Sequence, residues 1–354
     1  MLDSKTKSMY PKRCIILIIS FLTTLSIAAQ QIVMTELPTQ KLLPVAHIHR
    51  MFQDREGYMW YGTEGGGLCR DNGYQIDVFR SDLHTPHLLT SNDITCITED
   101  KSNQIWFGTD RGLYKLDKAN YQITEITDRK LGKQRIDAAL SVHDGTTWVA
   151  SEGMIYHYSP AGRLLDIHPS VWNQGRFTVA DFYEDSRHTL WVMQWGGGLL
   201  HYDPATEHFS PCQWPCDASP TQMVEDVANN CYWVATWGKG VVRFIPGTSD
   251  LSKDAVCELQ PATLEATAQS SHTTQLLSVL KDPRQNILWV SAMDDLYAYR
   301  IENNKLQRIS TASFLPQNKK ILDRLLADRT GNLWVPAYSP HSFILSFDSN
   351  KIKR

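Results

Sequence analysis

One pattern governs how this chain can fold: a tryptophan that returns about every forty residues inside the same kind of segment. Trp60, Trp106, Trp148, Trp191, Trp233, Trp289 and Trp334 are separated by 46, 42, 43, 42, 56 and 45 residues. Around each anchor the order repeats. A short apolar run such as DITCITED leads to a polar turn, then the Trp segment, a Gly-containing turn, a third run (GLYKLD) and a fourth (QITEIT). Alternating β-branched and aromatic residues bounded by Gly, Asn and Asp read as strands and hairpins. A helical-pair solenoid would need amphipathic runs at a 3.6-residue period, and these segments lack them. Four short strands per repeat, seven times over, predict an all-β chain folded as a single seven-bladed β-propeller of four-stranded antiparallel blades. The anchors are then expected to fill the space between neighbouring sheets.

The seventh unit ends in ILDRLLAD, NLWVPAY and SFILSFD, whereas QIVMTEL (Gln31–Leu37) precedes the first unit as an orphan strand. That N-terminal strand is expected to complete blade seven and remove an open sheet edge. The propeller is therefore expected over residues 31–354. Ahead of it, Lys5, Lys7, Lys12 and Arg13 precede the apolar run Cys14–Ala28, with small residues at Ser26 and Ala28. Residues 1–28 read as a secretory signal peptide, giving a periplasmic protein whose membrane contact would come only through an uncleaved leader.

Losing four basic residues and Asp3 with that leader takes the formal charge from −3 to −6. Such a balance, without a basic stripe, excludes nucleic acid as the main partner. Export permits disulfides, and the C-Q-W-P-C run offers Cys212 and Cys216 as a pair, with Cys257 as a third candidate. The His and Cys spacings match no zinc motif, so no metal site and no cofactor are expected.

The run SNDITCITED followed by Asp100–Asp117, of the form D-x4-[IL]-W-[FYV]-G-T-x2-G-L-x2-[LY]-D, resembles the two-component regulator propeller repeat. REGYMWYGTEGGGL in the first unit does so too. The resemblance implies the periplasmic sensor region of a hybrid two-component system, which often responds to glycan fragments. Units three, five, six and seven depart from the G-T pair, carrying AS, AT, SA and PA. Sensors of this kind carry a second propeller, a β-sandwich, a membrane helix, and kinase and regulator domains. None of these is read in this chain, so it is expected to bind rather than to signal alone, with downstream kinase domains or a second copy as partners.

In propellers the turns between second and third strands share a face with the connections between blades. The fourth residue after each anchor then forms a ring: Glu64, Asp110, Glu152, Trp195, Trp237, Met293 and Tyr338. One arc is acidic and the other largely aromatic. Aromatic faces stack on sugar C–H faces and carboxylates accept from hydroxyls, so an oligosaccharide is the expected ligand, bound without conversion. A lyase or hydrolase on the same scaffold, or a protein-interaction scaffold, are the alternatives. No nucleophile elbow or helix-borne metal pair is present, which favours binding over catalysis. The insertion 247–275 is expected to overhang this face. Asp54, Asp100, Asp185, Asp226, Asp282 and Asp328 recur six or seven residues before the anchors and are expected to bond their own turns. His47 and His49 alternate on the first innermost strand, towards the channel. Gly196–Gly198 read as a turn, since equivalent turns recur in other units, and not as a phosphate loop.

Overall fold

The computed structural model describes residues 32–172, 175–214, 217–247, 250–251, 253–263, 275–293, 295–309, 324–336 and 342–347. Residues 34–345 form one compact unit, and it is the expected seven-bladed propeller. Blade 1 is built from Ile48–Gln53, Met59–Thr63, Leu68–Asp71 and Ile76–Phe79, hydrogen-bonded in that order. Blade 2 follows with Ile94–Glu99, Gln104–Thr109, Gly112–Asp117 and Ile123–Glu125. Blade 3 uses Ala138–Ser141, Thr147–Ser151, Met154–Tyr158 and Leu164–Pro169. Blade 4 runs Val179–Glu184, Leu190–Gln194, Leu199–Asp203 and His208–Pro211; blade 5 runs Ser219–Asp226, Cys231–Trp237, Gly240–Ile245 and Val256–Leu259. Blade 6 comprises Leu276–Lys281, Ile287–Ala292, Leu296–Glu302 and Lys305–Arg308.

Blade 7 takes three strands from the far end of the chain (Leu326–Ala327, Leu333–Val335, Phe343–Phe347) and its outermost strand from Ile32–Glu36. Thr35 Oγ1 donates to the Ile344 carbonyl at 3.4 Å and Leu37 N to the Ser342 carbonyl at 2.9 Å. The ring is closed by the N-terminal strand, as expected.

The core lies between sheets. Trp60 and Leu68 of blade 1 pack on Ile105, Phe107 and Leu116 of blade 2, and Trp106 and Leu113 of blade 2 on Val149 and Tyr156 of blade 3. The same apposition continues from Trp191 onto Val234 and Phe244, and from Trp233 onto Val279 and Val290. Leu326, Trp334 and Ile344 of blade 7 meet Met51 and Tyr61 of blade 1. Six of the seven anchors are at most 3% exposed, so truncating one to alanine should cost about 3–5 kcal/mol.

The recurring aspartates do more than bond their turns. Asp54 Oδ1 accepts from Glu56 N and Tyr58 N while Oδ2 accepts from Trp60 Nε1 at 2.9 Å. Asp100 and Asp185 repeat this, with Trp106 Nε1 at 2.7 Å and Trp191 Nε1 at 2.9 Å. Asp226 and Asp328 hold Trp233 and Trp334 in the same way, at 3.0 and 2.8 Å. In blades 1, 2 and 4 one carboxylate thus satisfies a tight turn and the single polar atom of a buried indole, whereas Asp226 adds the Asn229 side chain to its indole contact.

The G-T pair has its own physical reason. A β-carbon on Gly62 would stand 2.9 Å from Ile94, and one on Gly108 2.5 Å from Ile136, the leading residues of the next blade. The threonine then bonds its turn, Thr63 Oγ1 to the Gly67 carbonyl at 2.7 Å and Thr109 Oγ1 to the Gly112 carbonyl at 3.1 Å.

One expectation is corrected. Residues 247–275 are not a single overhanging insertion, because the fourth strand of blade 5, Val256–Leu259, lies inside them and pairs with Val242–Ile245. The segment before it joins the third and fourth strands, on the face opposite the ring. The segment after it carries the short 3-10 turn Pro261–Thr263, and residues 264–274 lie outside the described residues. The leader, residues 1–28, also lies outside them. Among the described residues no helix is long and apolar enough to cross a membrane.

Candidate functional site

The described ring positions share a face. Glu64 N donates to the His47 carbonyl at 3.2 Å, Asp110 N to Asp93 at 3.2 Å, Trp195 N to Thr178 at 2.8 Å and Met293 N to Gln275 at 3.2 Å. Each bond ties a second-to-third turn to the connection entering its own blade. Glu152, at φ 48° in the left-handed region, sits in the tight turn before Gly153, its N–H 3.2 Å from Asp137 Oδ2. Tyr338 lies outside the described residues.

On the acidic arc, Glu64 and Asp110 come together. They line a cleft of about 290 Å³ with His49, Arg50, Asp93, Thr95 and Arg135. Glu152 is not among its lining residues. The innermost strands of blades 1 and 2, which border the cleft, carry one extra residue each. Pairing steps from Ile48 to Arg50 opposite Thr63 and Gly62, and from Ile94 to Cys96 opposite Thr109 and Gly108. His49 and Thr95 are the residues skipped, and such a bulge re-aims a side chain. Blades 4, 5 and 6 shift register at the corresponding place, skipping Ala180, Thr221 and Leu277.

The cleft is mixed in charge. His47 Nδ1 lies 3.2 Å from Glu64 Oε2 at its rim, and Arg135 Nε 3.6 Å from Asp137. Burial pulls His49 below the usual imidazole range, so its neutral form is favoured near pH 7. Burial, and then the like charge of Arg324, bring Arg50 down to about 9. Arg324 itself pairs with Asp181 of blade 4 and donates to the Ala180 carbonyl. Burial pushes Asp181 up against the pull of Arg324 and Arg50. Three charged residues from blades 1, 4 and 7 therefore couple through the channel. Of the two histidines read towards the channel, His49 lines this cleft, while His47 precedes the first strand of blade 1 and meets Glu64 at the rim; Arg50, Asp93 and Arg135 were not legible, since no repeat position marks them.

On the other arc, Trp195 of blade 4 and Trp237 of blade 5 form a pair with ring centroids 5.2 Å apart and planes inclined at 57°. Trp195 is 43% exposed and Trp237 half-buried. Their turn backbones are fixed: Gly196 N donates to Ser219 Oγ at 2.9 Å, and Thr236 Oγ1 to the Gly240 carbonyl at 2.7 Å. The result is an open, tilted aromatic surface on rigid hairpins, whereas Trp191 four residues earlier is sealed in the core.

Of the expected cysteine pair, Cys212 is a buried thiol, 3.4 Å from His201 Nδ1 and pushed up by burial. Cys216 lies outside the described residues. Cys257 packs against the same apolar cluster as Cys212.

Comparisons with known proteins agree with this architecture. The two-component regulator propeller family model matches residues 42–65 and 88–111. No curated protein sequence matches significantly. Among solved structures, the extracellular domain of the BT4673 hybrid two-component system from B. thetaiotaomicron is similar at TM-score 0.65 and 19% identity. That match covers 86% of this chain and 38% of the other, so the chain spans about two fifths of that domain's length. Virginiamycin B lyase from Staphylococcus aureus is similar at TM-score 0.68 and 12% identity, over 90% of this chain and all of that one. YCF48, in a structure bound to D1 peptide, is similar at 0.62 and 12%, over 91% and 99%. At such identities the structures report the fold. The family match falls on the innermost and Trp strands of blades 1 and 2, so this chain is a seven-bladed propeller whose first two blades resemble the two-component regulator propeller repeat.

Proposed function

We propose that this chain is an exported, sensor-type propeller that recognises an oligosaccharide on the ring face without converting it. The observation that carries this reading is the convergence, on one face, of an exposed Trp195–Trp237 pair with a polar cleft holding Glu64, Asp110, Arg50 and Arg135. A saccharide presents apolar C–H faces to the indoles and hydroxyls to carboxylates and guanidinia, and both demands are met on rigid turns. The likeness to a two-component extracellular domain supports an exported location and a sensing role. Downstream kinase domains or a second copy of the chain would be its signalling partners.

A second reading has one specific observation behind it. The neutral, cleft-facing His49 is placed as a general base would be, and a lyase shares the fold. One experiment separates the two: calorimetric titration of the chain with defined glycan fragments, followed by analysis of the recovered ligand. Intact ligand is expected, with Trp195→Ala and Trp237→Ala each weakening binding at least tenfold. Cleaved ligand would make the chain an enzyme, and unchanged affinity in both variants would remove the aromatic arc from the site. No response across a broad panel would favour a protein partner on this face.

A further inference from the structure

The a-to-b turns, between the first and second strands of each blade, lie at the opposite ends of the strands from the ring face. There they carry a repeated inter-blade contact. A carboxylate or amide at the end of one first strand accepts the backbone N–H of the preceding blade's turn. Arg55 N donates to Glu99 at 2.8 Å, Ser186 N to Glu225 at 2.8 Å, Arg329 N to Gln53 at 2.9 Å and His143 N to Glu184 at 2.9 Å. What gathers around that acceptor differs between junctions. Glu99 is met by Lys118 Nζ at 2.6 Å and Arg55 Nε at 3.3 Å, and Glu225 by the Ser186 hydroxyl at 2.9 Å. Glu184 is met by two imidazoles.

His143 comes from blade 3, and Glu184 and His188 from blade 4. His143 Nδ1 bonds Glu184 Oε1, and His188 Nδ1 stands 3.5 Å from the same oxygen. The two rings are stacked, centroids 3.7 Å apart and planes 19° from parallel. One ligating atom from each of the three residues lies within 4.8 Å of the others. Glu184 is held in place by the His143 backbone and is 16% exposed, while the histidines are about half exposed.

A second observation concerns the backbone. His188 has φ 64°, in the left-handed region. The position three residues before the anchor is Gly57, Asn103, Gly145, Asn230 and Gly331 in blades 1, 2, 3, 5 and 7, all with positive φ. Those are the residue types that tolerate this conformation best. Blade 4 alone among these six places an imidazole there, and its Nδ1 stands 3.5 Å from Glu184. An outlier kept where Gly or Asn would be easier points to a use.

We propose that His143, Glu184 and His188 form a divalent transition-metal site, with Zn²⁺ as its best-matched ion, that joins blades 3 and 4 on the face opposite the ring. Two imidazole nitrogens and one carboxylate oxygen are a zinc donor set, and three protein ligands leave the remaining position to water at this half-exposed surface. The site is unreadable in sequence: His143 and His188 are 45 residues apart in different repeats, and only inter-blade packing brings them together. It stands independently of the ligand proposed for the ring face.

The test uses the untagged chain, stripped of metal with EDTA. Calorimetric titration with ZnCl₂ is expected to show one ion per chain and a raised Tm, and Co²⁺ to give the visible absorption of a low-coordinate site. His188→Asn, which installs the residue that blades 2 and 5 carry, and His143→Gln should each weaken zinc at least tenfold with the metal-free Tm unchanged. The double variant should lose both the Tm rise and the cobalt bands. Absence of zinc binding by the parent chain, or equal affinity in the double variant, would reduce the trio to a hydrogen-bonded contact and overturn the proposal.

Discussion

Trp148 and Trp191 occupy the same place in adjacent blades and are fixed by different chemistry. Trp191 gives its indole N–H to Asp185, which also accepts from Tyr232 Oη at 2.6 Å and from the turn N–H groups of Arg187 and Thr189. In blade 3 the corresponding residue is Val142, and the indole of Trp148 is instead enclosed by rings. His157 stacks on it at 3.8 Å and 6°, Tyr202 and Phe209 of blade 4 lie 4.7 and 5.4 Å away, and His168 5.8 Å. The repeat therefore requires a buried, oriented indole but accepts two ways of orienting it. A charged acceptor gives direction and a fixed turn; an aromatic cage gives area and shape, with less dependence on any single group.

The largest effect that would test this contrast is Asp185→Ala. It strands four donors, two of them on buried side chains, and should cost about 3–5 kcal/mol in denaturant unfolding. A loss no greater than that of the matching blade 3 variant would erase the distinction. That variant, His157→Ala, removes one face of a multi-sided cage and should cost about 1–2 kcal/mol.

Acidification sharpens the contrast further. Burial holds His157 below the usual imidazole value of 6.5, and its Nε2 is buried with no hydrogen-bond partner among the described residues. The folded state then binds fewer protons than the unfolded one. This contribution is complete above pH 6.5 and is lost as pH falls below it. Burial alone would raise Asp185, but the hydrogen bonds from Trp191 and Tyr232 outweigh it and hold the carboxyl below its usual range. The blade 4 contribution therefore survives until pH falls beneath about 4. Unfolding curves should show lower stability at pH 5.5 than at pH 7.5, and His157→Phe should flatten that difference in part, since His168 and His201 are lowered by burial as well. An unaltered slope in His157→Phe would place the sensitivity elsewhere. The smallest effect is expected from Trp195→Ala, whose half-open ring should change stability by less than about 0.5 kcal/mol while ligand binding falls. A large stability loss there would make Trp195 part of the core.

Much of the fold was legible because a propeller writes its period into the chain: Trp106, the G-T pair and the Asp100 turn each recur by necessity. The seam was legible for the same reason, as blade 7 lacked a strand that Ile32–Glu36 could supply. The second job of Asp54, Asp100 and Asp185 was not, because a turn aspartate looks the same whether or not its other oxygen reaches an indole. Within the site, Trp195 and Trp237 could be placed side by side from register alone. Arg50, Asp93 and Arg135 could not, because a bulge and two inter-blade connections of unequal length bring them to the cleft. The division of residues 247–275 was missed for a related reason: Val256–Leu259 is short and mostly exposed, without the alternation that marks a half-buried strand.

The seam has a consequence in time. Thr35 and Ile344 are 309 residues apart in sequence and adjacent in the sheet. As the chain is synthesised, the propeller's first strand must wait for its last. Until then six blades can form locally from neighbouring segments, while the ring keeps an unpaired edge on its last sheet. Closing it forfeits the entropy of a loop that spans the other six blades, so this step should set the folding rate and be the point at which incomplete molecules associate edge to edge.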